Sequence, residues 1–211
     1  MENRVVIDSD FCNMIAPGNN IEKEKRFVRS IFDSLQKKPV VHTFVFEQEL
    51  LTNTVMKELV SEKFIDVIDY SAFLPAEIFK KQYAETFADF YNFMNGETIE
   101  KVFDVVTQHH SKKNMGEIHS LILAQYMGLP IFMSNDNGAK NLAKSRINTQ
   151  GYKIEVMNVC DVFCEIKRNG TIQIDKKAVR SILKERRNWF EIYSKLVISK
   201  NKSQPYAFSH A

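Results

Sequence analysis

Cysteine, proline, glycine and tryptophan are all scarce in this chain: three, five, seven and one in 211 residues. Cys12, Cys160 and Cys164 form an odd set with no CxxC pair, which excludes a disulfide framework and fits a reducing, cytoplasmic compartment. Cys160 and Cys164 stand four residues apart, on one helix face if helical, and read as buried thiols filling apolar space. Few prolines and glycines argue against long linkers. With 44% hydrophobic and 26% charged residues, the composition is not that of a disordered chain. No apolar run reaches the roughly 18–20 residues of a membrane span. The opening Met1-Glu2-Asn3-Arg4 leads into a strand rather than a signal-peptide core, so no membrane association is expected. His109, His110 and His119 lack HExxH or Cys/His ligand spacing and read as surface or core histidines rather than zinc ligands.

What the chain does have is charge segregation. From Lys176 to Ala211 nine basic residues face two acids, a local charge of +7 that leaves −4 for residues 1–175 against the total of +3. A basic end beside an acidic body suits a polyanion held near a cation site, although a solvated helix face reads equally well.

Hydrophobic periodicity gives an alternation of strands and helices over one domain. Val5-Val6-Ile7 reads as a buried parallel strand, Ile21–Gln36 as an amphipathic helix, and Val40–Phe46 as a second strand started by Pro39. Glu47–Ser61 returns to helical spacing, and Phe64–Tyr70 alternates like a strand with one wet side. Pro75–Asn95 is predicted helical, its Phe/Tyr stripe facing the core, with Gly96 as its stop; a second helix spans Glu97–Gln108. Glu117–Met127 is a helix ended by Gly128, Pro130–Met133 a strand, Ala139–Ser145 a helix, Tyr152–Val156 a strand and Val159–Ile166 a helix. Asn169-Gly170 forms a turn, and Asp175 caps a long basic helix reaching about Ile198. The expected fold is α/β, with a mainly parallel central sheet flanked by helices.

Four carboxylates punctuate this pattern: Asp8 after Val5–Ile7, Glu49 after Phe44-Val45-Phe46, Glu117 opening the helix at Ile118, and Asp136 after the Pro130–Met133 strand. In open parallel sheets, sites form outside the carboxyl ends of the strands, so one crevice can collect them. Gathered carboxylates oppose one another's ionisation, and hard oxygen ligands favour magnesium or manganese as the neutralising ion. Each acid also has a structural reading. Asp8 would cap the next helix, Glu117 would be a first-turn acid favoured by the helix dipole, Asp136 would belong to a turn-forming Ser-Asn-Asp-Asn-Gly stretch, and Glu47 competes with Glu49 two residues away.

Taken in order, Val5-Val6-Ile7-Asp8-Ser9-Asp10, Gln48-Glu49-Leu50, Gly116-Glu117 with its Leu/Ala-rich helix, and Ser134-Asn135-Asp136 resemble the PIN-domain nucleases. The resemblance spans roughly residues 4–160. It implies a three-layer PIN-like domain over residues 1–168, with a helical insertion at about 71–114 and a basic extension, 169–211, packed on the same body. It also implies a Mg2+- or Mn2+-dependent endoribonuclease. Asp8, Glu49, Glu117 and Asp136 would be its catalytic acids, and Asp8, Asp10, Glu117 and Asp136 its metal ligands. Ser9 would orient a ligand or substrate. Lys140, Lys144 and Arg146 follow the last acid and would hold RNA phosphates, unless they form only a solvated helix face. The family includes the toxins of toxin–antitoxin pairs, so an inhibitory protein partner and a homodimer are the protein–protein expectations beside nucleic acid.

Two rivals remain. Asp8-Ser9-Asp10 also resembles the nucleophile-and-acid pair of haloacid-dehalogenase-like phosphatases, and Asn135-Asp136 their late acidic motif, but Cys12-Asn13 departs from that pattern, no Gly-Asp precedes Asn135, and Glu49 and Glu117 gain no role in it. A non-catalytic PIN-like module that binds RNA or protein is the other.

Overall fold

A computed structural model describes residues 3–69, 77–98 and 113–169. Five parallel strands form its sheet: β1 (Arg4–Ile7), β2 (Lys38–His42), β3 (Asp66–Ile68), β4 (Ile131–Met133) and β5 (Glu155–Met157), in the order β3-β2-β1-β4-β5. The order reverses direction at β1, which pairs with β2 on one side and β4 on the other. The carboxyl ends of β1 and β4 therefore flank the crevice where an open α/β sheet characteristically places its site.

Period-two alternation explains the layering. Val5 and Ile7 of β1, Val41, Met133 and Met157 enter one core, under helices α1 (Ser9–Ile15), α2 (Ile21–Leu35), α3 (Thr54–Ser61) and α7 (Val159–Asn169). Val6, Val40, Phe132 and Val156 point the other way, under α4 (Glu77–Asn95), α5 (Met115–Tyr126) and α6 (Asn137–Leu142). The α/β expectation is met, with every described strand pair parallel rather than most. Burying each strand aliphatic contributes about 1.5–3 kcal/mol. That is the scale available to offset the repulsion among acids at the strand ends.

Side-chain caps fix helix starts. Asn20 accepts from Lys23 N–H at α2, and Asn53 from Met56 N–H at α3. Gly96 and Gly128 end α4 and α5 at φ of +68° and +63°, values that side chains resist.

Several predicted boundaries shift. The second strand stops at His42: Val45 and Phe46 belong instead to a π-helical turn, Val45–Glu49, closed by Leu50 N–H on Val45 C=O at 3.0 Å. The helix expected over Glu47–Ser61 is consequently broken at Leu50–Asn53. The last strand begins at Glu155 rather than Tyr152, which is 43% exposed in a loop. The helix expected at Ala139–Ser145 starts at Asn137 and runs through a π-helical turn, Ala143–Ile147. In α4, Tyr83, Phe87, Phe90 and Tyr91 are core as expected, but Ile78 and Phe93 are exposed. Cys160 and Cys164 are only partly buried, because Val162, Phe163 and Ile166 form the inner stripe of α7 and leave the thiols on its flank. Most of the helix predicted over Glu97–Gln108, the turn at Asn169-Gly170 and the basic helix after Asp175 lie outside the described residues.

Candidate active site

Asp8 follows β1 at the N-cap position of α1 yet makes no side-chain capping bond, so its simplest structural role is not exercised. Its side chain is fully buried. Oδ2 accepts a long bond, 3.4 Å, from Ser134 Oγ, while Oδ1 has no hydrogen-bond partner. Burial pushes the carboxyl well above its ordinary range, reinforced by the charges of Glu117, Asp10 and Glu49.

Those three acids arrive from three other places. Glu117 stands in the first turn of α5. Burial raises its pKa to about 7, with Glu49, Asp136 and Asp10 adding repulsion. Glu49 closes the π-turn after β2, receives a hydrogen bond from Ser9 Oγ, and is likewise raised chiefly by burial. Of the two neighbouring glutamates, Glu47 is exposed and Glu49 is the one placed against the other acids. Asp10 accepts from Ser134 Oγ at 3.3 Å on Oδ1 and from Asn135 N–H at 2.8 Å on Oδ2. Asp136 caps α6 through Oδ1, which takes the N–H groups of Gly138 and Ala139. Its capping role is therefore real, and Oδ2 is left uncommitted by it.

Ser134, Asn135 and Cys12 are the neighbours that reasoning from sequence did not assign. Ser134 Oγ sits among Asp8, Asp10 and the Asp136 N–H, so one hydroxyl links three acids. Asn135 Oδ1 takes the Val159 N–H at 3.0 Å, tying the loop after β4 to α7. Cys12 lies buried beneath, its thiol raised by burial and by Asp8 and Asp10. Only Ser134-Asn135 carried a signal, as part of the motif ending in Asp136.

The basic candidates go elsewhere. Lys140 and Lys144 line a groove with Asn148, Ile154, Glu155 and Asp161, a wall that includes none of the clustered acids. Arg146 lies over the Phe93 ring at 5.0 Å, with Asp89 3.9 Å away. Ser9 is turned onto Glu49. His119 is a core residue, stacked on His42 at 4.7 Å and bonded through Nδ1 to Tyr83 Oη; burial lowers its pKa and brings that of His42 down to about 4.

The donor set is oxygen only, carries an unpartnered buried carboxylate oxygen, and pushes its own acids toward the protonated form; those three properties fit a hard divalent cation. Among the described residues, no three His, Cys, Asp or Glu side chains are grouped tightly enough to hold a metal ion as they stand. Without a shared counter-charge the carboxylates repel one another. Among the described residues, no helix is long and apolar enough to cross a membrane. No family model matches the chain, and no curated protein matches it.

Proposed function

We propose that the chain is a metal-dependent nuclease of PIN-like type, acting on RNA. The observation that carries this reading is the convergence of Asp8, Asp10, Glu49 and Glu117 in mutual electrostatic contact at the β1/β4 switch point, with Asp136 within range of Glu117. Asp8, Glu117 and Asp136 would hold a magnesium or manganese ion, which when bound lowers the pKa of a water and offsets charge on a phosphate. The remaining groups position. Ser134 keeps Asp8 and Asp10 in register, Ser9 fixes Glu49, and the Asp10–Asn135 bond holds the loop carrying Asp136 against α1. The phosphatase alternative uses Asp8 and Asp10, with Asp136 as its late acid, and leaves the placement of Glu49 and Glu117 unexplained.

Labelled single-stranded RNA and DNA of matched sequence test the proposal. RNA cleavage in Mg2+ or Mn2+ is expected to vanish with chelator and to return on adding either ion. A phosphoenzyme on Asp8 with monoester hydrolysis and no strand scission contradicts it in favour of the phosphatase. Metal-independent RNA binding without turnover contradicts it in favour of the non-catalytic module.

The segment from Lys176 onward, although outside the described residues, supplies the charge to retain RNA. Changing Arg180, Lys184, Arg187 and Lys195 together to glutamine is expected to weaken RNA binding and flatten its salt dependence. The log–log slope should fall by up to about 3, at roughly 0.7 per phosphate contact for a single strand, while cleavage at saturating RNA changes little. An unchanged affinity and slope, measured by fluorescence anisotropy over a salt series, contradict this role.

A further inference from the structure

Glu49 reaches the acid cluster across the first turn of α5, where the residue beneath it is Gly116. A Cβ built on Gly116 would lie 2.6 Å from Glu49 Oε2 and 2.7 Å from its Cδ, closer than real Cβ atoms approach. The same residue's N–H donates to the Glu49 carboxylate, while Ser9 Oγ donates to it from α1. Gly116 is buried, lies inside the helix and does not adopt a left-handed backbone, so the fold alone does not demand glycine there. Alanine is the better helix former at such a position.

We propose that Gly116 is a positioning residue whose missing side chain forms the seat that brings the Glu49 carboxylate against the start of α5 and into the acid cluster. The atoms a Cβ would meet are the far end of a flexible side chain. A methyl at 116 therefore turns Glu49 out of the cluster and leaves the helix standing. The importance of that displacement for catalysis rests on the nuclease reading; the seat itself does not.

A double-mutant cycle of Gly116→Ala and Glu49→Ala tests both, because coupled residues depart from additivity. In RNA cleavage, Gly116→Ala is expected to lose about 10- to 100-fold when Glu49 is present, as small misplacements in active sites do, and nothing further in the Glu49→Ala background. In thermal unfolding, Gly116→Ala is expected to shift Tm with Glu49 present, where the carboxylate loses both its hydrogen bonds and its place among the other acids. In the Glu49→Ala background neither change can occur, and the Tm shift is expected to differ from that one. Equal Tm shifts in the two backgrounds overturn the seat. Absence of cleavage by the unaltered protein overturns the nuclease reading, while the Tm cycle still decides the seat.

Discussion

Asp8→Asn is expected to lower RNA cleavage by roughly 10²–10³-fold or more, the loss typical of removing one preorganised charge contact at a reacting centre, and at the same time to raise the Tm of the metal-free protein. The two effects share one cause. Asp8 is fully buried among Glu117, Asp10 and Glu49, and its Oδ1 has no partner, so the ionised form is held at a cost. Asparagine keeps the shape, removes the charge and offers an amide that can donate to the neighbouring carboxylates. A gain of about 1–3 kcal/mol is expected, which at 2–4 °C per kcal/mol for a chain of this size is a rise of several degrees. Stability and activity then trade against each other, as they do where a site is built from mutually repelling groups. Scanning calorimetry in chelator, beside single-turnover cleavage in Mn2+, checks both halves. A variant that cleaves normally, or one whose Tm falls, shows that Asp8 is a structural acid.

Glu117→Gln carries the second large expectation, and its sign depends on pH. Burial and neighbouring acids raise Glu117 in the folded protein to about 7, above the 4.5 of the exposed side chain. The folded state thus binds this proton more tightly than the unfolded state. The contribution to stability is fully present below about pH 4.5, declines as pH rises toward 7, and is absent above it. Glutamine cannot ionise and escapes the decline. The variant should therefore exceed the unaltered protein in stability above pH 7, by about 2 kcal/mol after allowing for partial exposure, and the difference should disappear below about pH 4.5. Comparing the two proteins at each pH cancels the opposing trend from His42, which burial brings down to about 4 and which destabilises the fold when protonated. Urea titrations in chelator at a series of pH values measure the difference. A gap that widens on acidification contradicts the proposed environment of Glu117.

Much of the fold was legible because strong patterns have few competitors. Val5–Ile7, which runs straight into Asp8, and Ile131–Met133 are wholly apolar runs, and α2 carries a clean amphipathic repeat, so their types and places agree with the structure. Phe44-Val45-Phe46 shows the limit. A short apolar run suits a strand and a buried helical turn alike, and the π-turn there depends on an i to i+5 bond that composition does not announce. The same turn decides between Glu47 and Glu49. Asp8, Glu49 and Glu117 were readable as acids at element ends, but their convergence required the strand order, which no local pattern encodes. Sequence proximity to Asp136 misled for Lys140, Lys144 and Arg146, because α6 and the turn after it direct those side chains toward β5 and α4 rather than the crevice. Ser134 was visible only as part of a motif; that its hydroxyl joins three acids is a fact of tertiary structure.

As a nuclease site, these carboxylates would gather around one divalent cation. Anomalous diffraction from crystals soaked in Mn2+ tests it most directly. A peak bounded by Asp8, Glu117 and Asp136 in the unaltered protein, and lost in Asp8→Asn crystals, is the predicted result. Crystals at saturating Mn2+ that show no peak in this crevice, or the same peak with Asp8 replaced, would contradict it.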